Sequence, residues 1–150
     1  YAALKGWKVT AFDFSKQAQM KALQLASEYQ VTINYRISSL EHFTTCEKFD
    51  AIALIFLHLM PETRQKMHRK LIDFLKPGGY FLMEVYSKKQ IQYNTGGPKN
   101  YSLLYNGQEL IEDLKALELV YYKEKLRIIN ENYYPKSKAE VIQLIAQKLN

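Results

Sequence analysis

Acidic, aromatic and hydroxyl side chains follow the first predicted strand, where the chain turns into a helix. Asp13, Phe14 and Ser15 come directly after the short apolar strand Lys8–Phe12. A carboxylate in this place can accept hydrogen bonds from both hydroxyls of a nucleotide ribose, and an aromatic ring beside it can stack on the base. Asp13 can equally cap the next helix together with Ser15. The segment predicts either a ribose-binding carboxylate or a capped turn.

A short polar turn follows the second predicted strand. Val31–Ile37 alternates between apolar and polar residues, and Ser39 and Leu40 come soon after it. A serine hydroxyl and the neighbouring main-chain groups can reach the edge of an adenine ring. Taken alone, the segment also fits an ordinary turn.

A histidine and two further polar residues lie at the ends of the third and fourth predicted strands. The third strand ends at Phe56 and is followed by His58, while the fourth carries Glu84 and ends at Tyr86. Ligands of open α/β sheets bind outside the carboxyl ends of the strands, so these residues should flank one crevice. His58 fits a general base because its ordinary pKa is near neutrality. A packed, hydrogen-bonded histidine is the alternative.

A long segment without periodicity follows the fourth strand. Ser87–Tyr105 contains Tyr93 and the run Thr95, Gly96, Gly97, with proline next. Long connections of this kind are usually functional or disordered. We predict that the segment forms one wall of a substrate pocket, the alternative being a passive connection.

These residues depend on an alternation of helices and strands. A helix end closed by Gly6 precedes the first strand, and the later predicted elements are a helix from Ser15 to about Glu28, strand Phe49–Phe56, helix Glu62–Leu75 stopped by Lys76–Gly79, strand Tyr80–Tyr86, helix Gln108–Leu117, and strands Glu118–Ile129 and Ala139–Gln147 joined by a turn over Asn130–Ser137. This order predicts an α/β fold with a mostly parallel sheet and one antiparallel strand from the terminal hairpin.

Composition excludes several classes of protein. The 150 residues are 47% hydrophobic and 24% charged, which fits one folded domain over 1–150 and excludes a disordered or collagen-like chain. The net charge of +6 is scattered without a long basic run, so we expect no nucleic-acid partner. No apolar run approaches the roughly 20 residues of a membrane span. The absence of a secretory start and the single Cys46 predict a cytoplasmic protein.

Five segments together resemble class I S-adenosylmethionine-dependent methyltransferases, especially the small bacterial enzymes related to the tellurite-resistance and thiopurine methyltransferases. They are Gly6–Ser15, Phe49–Ile52, Leu75–Gly79, Phe56–Leu59 and Thr95–Pro98. The resemblance covers nearly the whole chain. It implies a Rossmann-like three-layer sandwich that uses S-adenosyl-L-methionine to methylate a small-molecule nucleophile, without a metal; a homodimer is compatible with it.

The resemblance also assigns roles to individual residues. On the cofactor side it implies Asp13, Phe14, Ser15, Ser39, Leu40 and Phe56. The catalytic candidates are His58, Glu84 and Tyr86, and the substrate candidates are Tyr93, Thr95, Gly96 and Gly97.

Two departures from the family pattern keep other functions open. Many relatives have an acidic residue where Ser39 stands, and the six glycines form no G-x-G-x-x-G. Because that loop should precede Asp13 by about 20 residues, we expect the first strand, the glycine loop and most of the first helix to be absent from this chain. The alternatives are a nicotinamide-dependent oxidoreductase and a nonenzymatic, degenerate Rossmann-like binding module that meets RNA or protein.

Overall fold

The computed structural model describes residues 1–93, 95–131 and 134–149. Contacts along the chain divide it into two compact units, Tyr1–Thr45 and Cys46–Asn150. Each unit has its own sheet, and the two are described in turn. No helix in the described part of the chain is long and apolar enough to cross a membrane.

The first unit is built on a pair of parallel strands. Its elements are a 3-10 turn at Ala3–Lys5, β1 at Thr10–Asp13, α1 at Lys16–Glu28 and β2 at Asn34–Ile37. Gly6 closes the 3-10 turn with φ of 85°, a conformation that glycine adopts without steric cost. Ser15 begins α1 as predicted, since its Oγ accepts a hydrogen bond of 3.2 Å from the Ala18 N–H.

The second unit holds the remaining helices and strands. They are β3 at Phe49–Ile55, α2 at Pro61–Asp73, β4 at Leu75–Tyr86, 3-10 turns at Lys88–Gln92 and Tyr101–Leu103, α3 at Gly107–Asp113, β5 at Glu118–Glu131 and β6 at Tyr134–Gln147. The sheet order is β3-β4-β6-β5. β3 is parallel to β4, whereas β6 is antiparallel to both of its neighbours. The predicted single antiparallel strand is therefore confirmed in this sheet.

The predicted turn at Lys76–Gly79 is wrong, because the structure places this segment inside β4. Phe49 pairs with Leu75 and Ala51 pairs with Tyr80, so the extra residues of β4 form an irregularity in the ladder. A Cβ atom on Gly79 would lie 2.9 Å from the Lys76 carbonyl oxygen, which explains the glycine there.

Other boundaries also differ from the sequence prediction. β1 covers Thr10–Asp13 rather than Lys8–Phe12, and β2 begins at Asn34 rather than Val31. α3 ends at Asp113 rather than Leu117. The segment Ser87–Tyr105, predicted without regular structure, contains two 3-10 turns, and its first and last residues pair with each other. β5 and β6 extend into the range predicted as the turn Asn130–Ser137. Residues 132 and 133 of that range lie outside the described residues.

The core of the second unit lies between α2 and one face of the sheet. α2 contributes Met67 and Leu71, both at most 4% exposed, and β4 contributes Phe81 and Val85, both 0% exposed. Burial of each such side chain contributes about 1.5–3 kcal/mol to folding. This packing fixes the direction in which β3 and β4 present the residues at their carboxyl ends.

Candidate active site

Asp13 is held in one orientation at the carboxyl end of β1. Its Oδ1 accepts a hydrogen bond of 2.8 Å from the Ser15 N–H. Burial, followed by the negative charge of Asp13, raises the pKa of the Tyr35 hydroxyl. A carboxylate has about four acceptor positions, so the bond to Ser15 leaves capacity for two ribose hydroxyls. The residues here fit the ribose of S-adenosyl-L-methionine.

The predicted adenine-side residues of the first unit have different environments. Ser39 Oγ lies 2.7 Å from Nδ1 of His42, and the Ser39 carbonyl accepts a hydrogen bond of 2.9 Å from the Phe43 N–H. Leu40 is 7% exposed and belongs to the core. Phe14 is 80% exposed, so its ring is accessible for stacking.

Phe43 was missed by the sequence analysis. Its ring is 4% exposed and stacks on Phe12 of β1 with 4.1 Å between the ring centroids. The stack connects the turn after β2 to the strand that ends at Asp13. An aromatic residue four positions after Ser39 was the available signal.

Phe56 has an unusual backbone conformation at the end of β3. Its φ is 51°, in the left-handed region that a bulky residue rarely adopts. The N–H of Phe56 donates a hydrogen bond of 2.8 Å to the Glu84 carbonyl, which keeps the residue beside β4. Strained backbone of this kind often occurs at ligand sites. The contact of Phe56 with the cofactor stays a prediction, with which this conformation agrees.

His58 presents one ring nitrogen that has no hydrogen-bond partner. Its Nδ1 lies 3.0 Å from the Leu103 carbonyl oxygen, which can only accept, so Nδ1 carries the proton. Nε2 is buried and has no hydrogen-bond partner among the described residues. Burial lowers the pKa of His58 although the bond to Leu103 opposes the shift. The neutral ring therefore presents a basic lone pair at Nε2.

Three predicted residues meet in an aromatic cluster, which consists of Phe56, His58, Tyr86 and Tyr105. Ring centroids of Phe56 and Tyr86 are 4.6 Å apart, and those of His58 and Tyr86 are 5.5 Å apart. Tyr105, which the sequence analysis did not select, meets His58 edge-on at 5.6 Å. The carboxyl ends of β3 and β4 thus bring the predicted groups together.

The two glycines of the predicted substrate segment lie directly against Tyr86. Gly96 and Gly97 have φ of 66° and 77°. A Cβ on Gly96 would lie 3.0 Å from the Tyr86 hydroxyl, and one on Gly97 would lie 2.9 Å from its ring. Only glycine can occupy both positions without strain or displacement of Tyr86.

A buried glutamine anchors this segment. Gln90 is 1% exposed, and its Nε2 donates a hydrogen bond of 2.7 Å to the Thr95 carbonyl. Its Oε1 accepts a bond of 2.8 Å from the Glu140 N–H, so Gln90 connects the segment to β6. Thr95 Oγ1 also donates to the Lys138 carbonyl. Tyr93 is partly buried, and its N–H donates to the Gln90 carbonyl at 2.9 Å.

Glu84 is placed differently from the other catalytic candidates. Its two carboxylate oxygens accept hydrogen bonds from Arg127 of β5 and Gln143 of β6. The side chain is 13% exposed. These bonds hold the Glu84 side chain within the sheet, and the described contacts of that side chain do not include the aromatic cluster.

A buried polar network, which consists of Arg64, His68, Tyr105 and Asp113, lies behind the aromatic cluster. The Arg64 Nε donates to Asp113 Oδ2 at 2.6 Å, and His68 Nδ1 lies 3.7 Å from the same oxygen. The Arg64 guanidinium lies over the Tyr105 ring, 5.0 Å from its centroid. The Tyr105 hydroxyl donates a bond of 3.0 Å to the carbonyl of Leu57, the residue before His58.

The chain resembles known proteins in both sequence and structure. The model of a family described as "Methyltransferase domain" matches residues 1–79. No curated protein matches the chain.

Solved structures match the chain over nearly its whole length. TehB from Haemophilus influenzae is 19% identical with a TM-score of 0.78, and the match covers 97% of this chain and 51% of TehB. A SAM-dependent methyltransferase from Methanosarcina mazei is 18% identical with a TM-score of 0.74, covering 98% and 84% of the two chains. The N-methyltransferase NodS from Bradyrhizobium japonicum, in complex with S-adenosyl-L-homocysteine, is 16% identical with a TM-score of 0.73, covering 95% and 67%.

These likenesses bear on the fold. The chain spans about half the length of TehB. At identities below one fifth the likeness shows the fold alone, and it confirms the predicted Rossmann-like α/β class.

Proposed function

Because the chain belongs to the methyltransferase family whose model matches residues 1–79, we propose that it methylates a nucleophile on a small molecule. The family match confirms the resemblance read from the motifs, and it confirms S-adenosyl-L-methionine as the cofactor. When bound, this cofactor supplies a methyl group that is attached to a sulfonium sulfur. After the transfer, the sulfur leaves as a neutral thioether.

Asp13 is the residue that we assign to the cofactor ribose. The Ser15 N–H fixes one carboxylate oxygen at 2.8 Å, so the carboxylate is already oriented before the ribose hydroxyls bind. Hydroxyl donors to a charged acceptor form bonds of about 1.5–3 kcal/mol each. In the first unit we also assign Phe14, Ser15 and Ser39 to the cofactor, with Leu40 as an apolar support. In the second unit, Phe56 is the residue that we assign to the cofactor.

The buried lone pair at Nε2 of His58 is the observation that carries the proposal. A hydroxyl or ammonium acceptor must lose a proton when it is methylated, and Nε2 can take that proton directly. The Leu103 carbonyl holds the imidazole in the required tautomer. Tyr86, stacked near His58, limits the approach of the substrate. Glu84 supports the site indirectly, through its hydrogen bonds within the sheet.

The segment after β4 supports a small acceptor. Gln90 holds the segment by its bond to Thr95, and Gly96 and Gly97 lie directly against Tyr86 of the aromatic cluster. We propose that Tyr93, Thr95, Gly96 and Gly97 form the wall on the substrate side.

An exposed free thiol at Cys46 supports a reducing, cytoplasmic compartment.

Two measurements test this function. Isothermal titration calorimetry should detect S-adenosyl-L-homocysteine binding to the chain, weakened at least tenfold in Asp13→Asn. Incubation with S-adenosyl-L-methionine and pooled small metabolites should form S-adenosyl-L-homocysteine, at a rate that falls by about 10²–10⁴ in His58→Gln. Binding of a nicotinamide dinucleotide instead, or no binding of either methyl-cycle compound at millimolar concentration, would overturn the proposal.

A further inference from the structure

An open pocket of about 350 Å³ lies beside the buried polar network in the second unit. Its lining includes Arg64, Lys88, Tyr101, Ser102, Glu109 and Glu112. None of these residues was selected from the sequence, and the function proposed above does not use them. Pockets with converging polar groups are the usual places for small ligands.

The charges that line the pocket are matched in pairs. Lys88 Nζ lies 2.8 Å from Glu109 Oε1, and Glu109 Oε2 lies 3.7 Å from Arg64 Nη2. Glu112 Oε1 lies 2.6 Å from Lys115 Nζ, and this ammonium neutralises the charge of the carboxylate. The bonds to Lys88 lower the pKa of Glu109, so this carboxylate is charged at neutral pH. The pocket as a whole is close to neutral while presenting both signs of charge.

The inner wall of the pocket is rigid. The side chains of Arg64 and Asp113 are 3% and 1% exposed, and they form an ion pair of 2.6 Å. A buried ion pair is weak support for stability, because removing both charges from water offsets their attraction. The pair therefore places two fixed charges of opposite sign at the wall of the pocket.

We propose that this pocket binds a small zwitterion that carries an ammonium group and a carboxylate on the same carbon, as an α-amino acid does. A ligand with one charge would displace one partner of an existing ion pair and leave the other partner without an opposite charge. A zwitterion exchanges one set of ion pairs for another and leaves the net charge of the pocket unchanged. The ligand's carboxylate binds Lys88 and the Ser102 hydroxyl, and its ammonium binds Glu109 and Glu112.

Two features lower the cost of this exchange. The Glu112 and Lys115 side chains are 68% and 73% exposed, so their ion pair is weak and easily released. Lys88 Nζ lies 5.4 Å from the centroid of the Tyr101 ring, which can accept the ligand's ammonium in its place.

The pocket is separated from His58 by a single ring. Arg64 at the pocket wall lies over Tyr105, and Tyr105 meets the edge of His58. Ser102 at the pocket is followed by Leu103, whose carbonyl accepts from His58 Nδ1. The zwitterion is therefore an effector that acts on His58 through Tyr105, and its effect on the cofactor rests on the function proposed above.

Matched probes test the binding class independently of any methyl transfer. Norleucine, hexanoate and pentylamine share an aliphatic chain but carry both charges, the carboxylate alone and the ammonium alone. Titration of the ¹⁵N-labelled chain should shift the amides of Lys88, Ser102 and Glu109, with a dissociation constant on the order of 1 mM for norleucine. Hexanoate and pentylamine should bind at least about tenfold more weakly.

Neighbouring lysines supply the control. Lys88→Gln should weaken norleucine binding about tenfold or more. Lys89→Gln removes the adjacent charge, which pairs with Glu124 outside the pocket, and should leave binding within about twofold. Hexanoate or pentylamine binding as tightly as norleucine, no saturable shift, or equal effects of the two variants would overturn the proposal.

A second experiment tests the effect of the zwitterion on the cofactor. Norleucine should stay unmethylated when incubated with S-adenosyl-L-methionine, and it should change the affinity for S-adenosyl-L-homocysteine. A gain of one methyl group by mass on norleucine, or an unchanged affinity, would overturn the role as an effector. If the chain methylates nothing, the proposed function fails, whereas the probe titration still decides the binding class.

Discussion

The Nδ1 atom of His58 donates a hydrogen bond of 3.0 Å to the main-chain oxygen of Leu103. The bond joins the end of β3 to the segment before α3, and it leaves Nε2 as the acceptor nitrogen of the ring. The orientation of the proposed base is therefore set by the main chain of a distant segment, which does not itself titrate.

We predict that His58 is neutral at pH 7 with its proton on Nδ1. Burial lowers its pKa, so its titration in the folded chain should lie below that of the same residue in the urea-unfolded chain. ¹⁵N NMR of the imidazole nitrogens checks both statements. A proton found on Nε2 at pH 7, or a pKa above the unfolded value, would contradict the role assigned to the Leu103 carbonyl.

Asp13→Asn should weaken S-adenosyl-L-homocysteine binding by about 1.5–3 kcal/mol, because an amide replaces the charged acceptor of the ribose hydroxyls. Calorimetry with the full chain measures the loss. Asp50→Asn is the matched control, since Asp50 pairs with Lys76 on an exposed part of β3. Equal losses in the two variants would indicate a general effect of charge instead of ribose binding.

Asp113→Asn should lower the free energy of unfolding by about 3–5 kcal/mol, because it removes the buried carboxylate that pairs with Arg64 at 2.6 Å and leaves only the more distant Glu109. Replacing both residues together, as Arg64→Met with Asp113→Leu, should recover much of this loss. Glu112→Gln, which breaks an exposed pair, should change stability by less than about 1 kcal/mol. Urea unfolding at pH 7 provides the comparison.

His68 should make the chain less stable in mild acid. Burial lowers its pKa to about 4 in the folded chain, with the charge of Asp113 opposing and that of Arg64 adding to the shift. Between pH 6.5 and 4 the unfolded chain therefore binds a proton that the folded chain does not. This difference should reduce the free energy of unfolding by about 2 kcal/mol between pH 7 and pH 5.

His68→Phe should remove that part of the pH dependence. The ring of His68 packs against Phe81 and Tyr105, with centroids 6.1 Å and 6.3 Å away, so an aromatic replacement retains much of the packing. Urea unfolding of both proteins at several pH values isolates the contribution. Parallel pH profiles would show that His68 is not responsible.

Gly97→Ala should destabilise the chain more than Gly6→Ala does. Both glycines have positive φ, so each alanine costs about 1–2 kcal/mol of backbone strain. The Cβ at position 6 meets nothing within 4 Å, whereas the one at position 97 would lie 2.9 Å from the Tyr86 ring. Thermal unfolding measures the difference, and near-UV circular dichroism reports the displaced Tyr86. Equal losses would mean that the segment yields without disturbing Tyr86.

Regular elements were predicted where local signals and tertiary packing agree. α1 begins after its Ser15 cap and ends at Glu28 as expected, since the cap and the helical period are both local. Lys76–Gly79 was wrong because proline and glycines usually end elements, whereas here the ladder to β3 absorbs them as an irregularity. α3 ends early because the Leu117 N–H donates a hydrogen bond of 2.8 Å to the Leu114 carbonyl, three residues back, while both side chains stay buried.

The site was predicted in part for a related reason. The rule that ligands bind at carboxyl strand ends selected Phe56, His58 and Tyr86, which the structure brings together. Tyr105 and Asp113 could not be selected, because their partners Leu57 and Arg64 lie 48 and 49 positions away in the sequence. Such pairings depend on tertiary folding and have no local signature.

The sheet order β3-β4-β6-β5 has a consequence for synthesis on the ribosome. β6 is the last of these four strands to be made, yet it lies between β4 and β5. Until Gln147 has emerged, β4 has an open inner edge and β5 has no neighbour to pair with. Unpaired edges promote association between chains, so we expect the nascent second unit to depend on chaperones, and the sheet to close only after translation of β6.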